Sequence, residues 1–154
     1  MLLSDDTNRA EWLHFPGPKL DQGTKYPETV YAQHYGWFLP GRGSDYWDRE
    51  GIWLCGLESL WSHSRHTLKI LATIKGAIGA CLPTSLPVIE TSAGEWRRTL
   101  GLPVTGPKRE LKMQAMVWAK DEWANRNGME TEDACDAYCI ARATRLLNEG
   151  ARAA

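Results

Sequence analysis

No segment restricts the fold as tightly as Ile52-Trp53-Leu54-Cys55-Gly56-Leu57, an uncharged run that ends on Glu58. Its length and composition are those of a buried strand. A carboxylate at the end of such a strand is costly unless it is solvated, paired or bound to a metal. Glu58 therefore either marks the point where the strand emerges into water or belongs to a site. Functional sites of α/β sheets often lie at the carboxyl ends of strands, which favours the second reading.

The remaining elements follow from local signals. Residues 1–15 read as a strand and a return strand (Trp12, Leu13, Phe15), and Pro16-Gly17-Pro18 then breaks the chain. Residues 27–50 are rich in aromatics; a helix is expected from about Glu28 to Phe38, ended by Pro40-Gly41, and a short one near Asp45 to Arg49. After the strand at 52–58, Leu68, Leu71, Ile74, Ala77, Ile78 and Cys81 recur at helical spacing, one face directed at a sheet. Pro87 to Thr91 reads as a strand. Ser92-x-x-Glu95 is a capping box that opens a short helix to Leu100. A Gly/Pro loop over 101–107 leads to a long helix from about Lys108 to Arg126, closed by Gly128. The last helix is expected over Thr131 to Asn148, with an inward stripe of Ala137, Ile140, Ala141, Thr144 and Leu147 that stops at Gly150.

That last helix opens on Asp133-Ala134-Cys135-Asp136. Carboxylates at i and i+3 share a helix face and repel each other unless a cation lies between them, and a divalent metal is the usual answer. Aspartates in a first turn also complement the helix dipole, here with Thr131 as N-cap. At the N-terminus Asp5 and Asp6 follow the apolar start Met1-Leu2-Leu3, and the strand period sends only one of the two into the fold. Cys135 with Cys139 and His63-x-x-His66 have spacings that zinc permits, but both cysteines fall within the helical pattern and read as core.

The order of these features resembles a known family. Asp5 after an N-terminal strand, Glu58 ending a central strand and Asp133-x-x-Asp136 opening the last helix are similar to the RuvC-like Holliday junction resolvases of the ribonuclease H-like superfamily, in particular the short phage forms. Leu86-Pro87-Val88-Ile89-Glu90, Gly94-Glu95-Trp96-Arg97-Arg98, the basic segment Lys108-Arg109-Glu110-Leu111-Lys112 and the closing helix Asp133 to Ala141 carry the resemblance over residues 52–148. It departs at the N-terminus, where Ala10 and Glu11 stand at positions the family gives to Thr and Gly.

The resemblance implies an α/β RNase H-like fold, a mixed central sheet flanked by helices, spanning residues 1–154 as a single nuclease domain. It also implies a metal-dependent endonuclease that cuts branched DNA, a four-way junction, as a homodimer. Asp5, Glu58, Asp133 and Asp136 would hold Mg²⁺ or Mn²⁺, two ions in all. Lys112, with Lys108 as the fallback, would steady the scissile phosphate, and Arg97, Arg98, Lys108, Arg109 and Lys112 would contact DNA. Two other readings share the fold: a non-catalytic nucleic-acid-binding protein, and a nuclease acting on flaps or single strands.

Composition bounds these expectations. At 154 residues the chain has the size of one domain, and 43% hydrophobic residues suit a packed core. A formal net charge of −1 means that nucleic acid would have to be met by local basic groups, such as Arg97 to Lys112 or the set Arg65, His66, Lys69 and Lys75. No apolar run reaches the length of a membrane span, and the start lacks a signal peptide's pattern, so a reduced, cytoplasmic setting without membrane contact is expected. Of the eight Trp residues, Trp53, Trp96, Trp118 and Trp123 read as core or interface, and Trp37, Trp47 or Trp61 could stack on an unpaired base.

Overall fold

The computed structural model describes residues 2–3, 10–11, 30, 53–60, 64–122 and 131–153. In chain order the elements are β1 (Leu2–Leu3), β2 (Ala10–Glu11), β3 (Cys55–Glu58), α1 (Arg65–Cys81), β4 (Val88–Thr91), α2 (Ala93–Thr99), α3 (Lys108–Glu122) and α4 (Glu132–Ala153). Two compact units emerge: one comprises Met1–Trp12, Leu54–Ser59 and Pro87–Ala154, the other Leu13–Trp53 and Leu60–Leu86.

In the second unit α1 starts at Arg65, three residues before the apolar stripe, because the Ser64 side chain accepts a hydrogen bond from the Thr67 amide at 3.3 Å. The helices expected over 28–38 and 45–49 lie outside the described residues, apart from Val30, which is helical.

In the first unit β1 pairs antiparallel with β2, Leu2 opposite Glu11 and Leu3 opposite Ala10; Trp12, Leu13 and Phe15, expected in the return strand, lie outside the described residues. β3 and β4 pair in parallel from Cys55–Val88 to Glu58–Thr91. Two further backbone bonds extend this ladder, Cys55 N–H to the Pro87 carbonyl at 2.9 Å and Ser59 N–H to the Thr91 carbonyl at 2.8 Å. The strand expected over 52–58 is thus paired from Cys55 onward.

Helix α2 is short, and its ends rather than its length secure it. Ser92 and Glu95 form the expected capping box, each side chain accepting from the other's amide at 3.3 Å. At the far end Gly101 takes φ of +71°, and the amides of Gly101 and Leu102 donate to the carbonyls of Arg98 and Arg97 at 3.0 and 2.8 Å. This is a Schellman closure, in which the left-handed residue is a glycine because a Cβ there would be strained.

The core lies between α2, α3 and α4. Trp96, Ala115, Ala119, Ala134, Cys135, Tyr138, Cys139 and Ala143 are buried together, with Leu100, Leu102, Met116, Trp118 and Ile140 packed around them. Alanines at 115 and 119, one turn apart, let α3 come close enough to α4 for the Cys139 thiol to lie 3.7 Å from the Ala115 carbonyl. The buried face of α4 therefore differs from the expected stripe. It centres on Ala134, Cys135, Tyr138, Cys139, Ala143 and Thr144, while Ala137, Ile140, Ala141 and Leu147 are only half-buried. The small side chains face α3, and Tyr138 meets Trp118 with ring centroids 6.1 Å apart. α4 also runs through Gly150 to Ala153 rather than stopping there. A glycine near a helix end costs about 1 kcal/mol relative to alanine, too little to break a helix flanked by Ala151 and Arg152.

One glycine does set a distance. A Cβ at Gly56 would lie 2.3 Å from Thr144 Oγ1 and 3.0 Å from its Cβ, so β3 rests directly on α4. Thr144 returns its own hydroxyl to the Ile140 carbonyl at 2.7 Å and is buried without an unmet donor.

Candidate metal centre

Parallel pairing of β3 and β4 brings their carboxyl ends level, so Glu58 stands opposite Thr91 in register. Glu58 is exposed on the strand's last position, as a charge at the end of an apolar run requires. One of its oxygens, Oε1, accepts a hydrogen bond from the indole Nε1–H of Trp96 at 3.2 Å. Thr91 is fully buried and donates to Glu95 Oε2 at 3.3 Å, tying the end of β4 to the first turn of α2.

α4 presents two more of the expected metal-binding carboxylates, Asp133 and Asp136. Its start is set by Thr131, whose hydroxyl accepts from the Ala134 amide at 3.2 Å and whose carbonyl accepts from Cys135 at 3.2 Å, as an N-cap should. Asp133 is exposed in the first turn and Asp136 half-buried one turn on. Asp136 holds its proton more tightly than an ordinary aspartate. Burial is the main cause, and the negative charges of Glu58 and Asp133 add to it, while Lys112 and Arg97 act in the opposite sense. Glu58, Asp133, Lys112 and Arg97 are thus all within electrostatic reach of one half-buried carboxyl.

The basic residues separate into different environments. Lys112 forms an ion pair with Glu132, and this bond, with the nearby charges of Glu132, Asp136 and Asp133, holds its ammonium more firmly protonated than usual. Arg98, Lys108 and Arg109 are exposed. Arg97 departs from the expected surface DNA contact: it is only 7% exposed, its guanidinium lies 4.5 Å from the centroid of the Trp96 ring, and Nη1 donates to the Leu111 carbonyl at 2.9 Å. The capped geometry of α2 turns Trp96 and Arg97 inward together, so adjacency to Arg98 in sequence does not carry Arg97 to the surface.

Asp5 lies outside the described residues, as does His63. Among the described residues no group of three or more carboxylate, histidine or cysteine side chains is close enough to hold a metal ion. Glu58, Asp133 and Asp136 carry hard carboxylate oxygens of the kind that suits Mg²⁺ or Mn²⁺; burial is the main reason Asp136 holds its proton, and the smaller part due to Glu58 and Asp133 is what a cation would relieve. Cys135 and Cys139 are fully buried thiols, as the core reading expects. Desolvation pushes the Cys139 thiol up to about 12, the behaviour of a thiol packed in a core.

Two contacts were not visible in the sequence, the Trp96–Glu58 hydrogen bond and the Arg97 clamp on Leu111. The one available signal was the tendency of a buried Trp to find a partner for its N–H, and that rule does not name the partner.

Compared with protein-family models, curated proteins and solved structures, the chain gives no significant match. No helix among the described residues is long and apolar enough to cross a membrane.

Proposed function

We propose that this chain is a metal-dependent endodeoxyribonuclease of RuvC-like type, with an RNase H-like fold, that cleaves phosphodiester bonds in branched DNA. The observation that carries the reading is placement: Glu58 ends β3, which rests on α4 where Gly56 meets Thr144, and Asp133 and Asp136 lie in the opening turns of that same helix. Residues 75 positions apart in sequence, Glu58 and Asp133, thereby come within electrostatic reach of the half-buried Asp136, as do Lys112 and Arg97. Glu58, Asp133 and Asp136, with Asp5, would hold Mg²⁺ or Mn²⁺. Such ions, when bound, activate water and stabilise the leaving oxygen of a phosphodiester.

The chain's own residues do the rest. Asp136 ligates as its carboxylate, the form that Lys112 and Arg97 favour. Lys112 would exchange its partner Glu132 for a phosphate oxygen of the substrate, and Lys108, exposed at the first position of α3, is the alternative. Arg98 and Arg109 would meet the phosphate backbone, which orients DNA without reading its sequence. The preference for a four-way junction would come from a homodimer whose symmetry matches that of the junction. A cytoplasmic setting belongs to the same proposal.

A second reading, a non-catalytic nucleic-acid binder of this fold, is favoured by the Lys112–Glu132 pair, which already occupies the cation meant for phosphate. Cleavage assays on a four-way junction, a flap and a linear duplex, with and without Mg²⁺, separate the readings. Metal-dependent nicking of the junction above the other two supports the proposal, cleavage confined to the flap assigns a flap nuclease, and binding without cleavage in Mg²⁺ or Mn²⁺ leaves the binder.

A further inference from the structure

Glu58 is an exposed carboxylate, yet the group that hydrogen-bonds it, the Trp96 indole, is only 2% exposed. A hydrogen bond to a carboxylate that water also reaches adds little to stability, because water competes for the same oxygen. Its main consequence is orientation. Trp96 cannot swing: its ring is walled in by the core, and α2 is locked by the capping box at one end and the Schellman closure at the other. Arg97 extends the same rigid piece. Its guanidinium covers the Trp96 ring and donates to the carbonyl of Leu111, the residue immediately before Lys112.

We propose that Trp96 is a positioning residue for the Glu58 carboxylate, and that through Arg97 it sets this carboxylate relative to the segment of α3 that carries Lys112. Hydrogen bonds and ring stacking link β3, α2 and α3 across 53 residues of sequence, from Glu58 to Leu111. The donor type matters. An indole N–H is neutral, so it fixes one oxygen of Glu58 without cancelling its charge and leaves the other lone pairs open to a cation. A lysine in the same place would compete with that cation. Outer partners that orient a ligating side chain are commonly worth about 10–100-fold in metal affinity.

The cation-binding part of the inference rests on the proposed function; the contact itself does not, and the test keeps the two apart. Trp96→Phe deletes the N–H and retains an aromatic ring, and Glu58→Ala deletes the acceptor. Mn²⁺ affinity, read by calorimetry on the full chain, should fall about tenfold or more in Trp96→Phe. In the Glu58→Ala background the same change should alter affinity by less than about twofold, since the group it positions is gone. Equal losses in both backgrounds, or no loss with Glu58 present, would overturn the role, because a merely structural defect ignores whether Glu58 is there. If the parent binds no Mn²⁺, the nuclease reading falls and a metal-free measurement decides the positioning. The Trp96 indole proton, assigned as the ¹H–¹⁵N signal missing in Trp96→Phe, should move on Glu58→Ala while the other indole signals hold. An unmoved signal overturns the contact; if Trp96→Phe fails to melt cooperatively, a single indole signal displaced by Glu58→Ala in the parent supports the contact and none displaced overturns it.

Discussion

At the scale of single residues, Asp136 is the most informative. Burial and the charges of Glu58 and Asp133 raise its affinity for a proton in the folded chain. The native state then binds that proton more readily than the unfolded state, whose carboxyl titrates near about pH 3.9. Stability therefore falls as pH rises from that value through the native one, and above both the ionised carboxylate is a standing cost. Asp136→Asn should melt higher than the parent near neutrality without metal, and the gap should close on acidification to below about pH 4. On the proposed function, the same variant should lose cleavage by orders of magnitude while still binding a junction, since it would remove a metal ligand but no DNA contact. A melting curve against pH and a paired cleavage and binding assay check both halves. Gly56 gives a second residue-scale prediction. Gly56→Ala places a methyl 2.3 Å from Thr144 Oγ1, and overpacking of this kind costs about 1–3 kcal/mol. Thr144→Ala removes that oxygen, so denaturant titrations of the double variant should show less than the sum of the single losses.

At the scale of elements, the helix ends are the features most open to a local test. Ser92 and Thr131 each accept an amide of the first turn that would otherwise go unbonded, from Glu95 and Ala134 respectively. Ser92→Ala and Thr131→Ala should each lower stability by about 1 kcal/mol, measured by chemical denaturation. If Asp133 is a ligand as proposed, Thr131→Ala should also weaken Mg²⁺ binding more than Ser92→Ala does, because it frays the turn that carries Asp133. Helix α3 is held differently: its alanines 115 and 119 allow close approach to α4, and its first turns are tied to α2 through Leu111. Its Met113 and Val117 remain more than half exposed.

At the scale of the whole molecule, a net charge of −1 means that the DNA binding of the proposed function would depend on where the cations lie. Each phosphate neutralised contributes a slope of about −0.9 to log affinity against log salt. Arg109→Ala should therefore flatten the salt dependence of junction binding by about 0.9, whereas Arg97→Gln should leave the slope unchanged. Arg97 acts inside the fold, and losing its charged hydrogen bond to Leu111 should cost about 1.5–3 kcal/mol of stability. Binding isotherms across a salt series, together with melting curves, separate the two arginines.

What the sequence determined by itself was local: the strand that ends at Glu58, the capping box at Ser92, the N-cap at Thr131, the core placement of Cys135 and Cys139 and the start of each described helix to within a few residues. Those features depend on residues within one or two turns of each other, so spacing and side-chain type suffice to find them. Tertiary structure alone decided which face of α4 is buried, that Arg97 turns inward while Arg98 stays exposed, that Lys112 pairs with Glu132, and that Trp96 reaches Glu58. Each of these depends on groups brought together by packing, 20 residues apart for Lys112 and Glu132 and 38 for Glu58 and Trp96. Periodicity tells a helix that it has an apolar face, but the partner's alanines at 115 and 119 choose how that face is rotated.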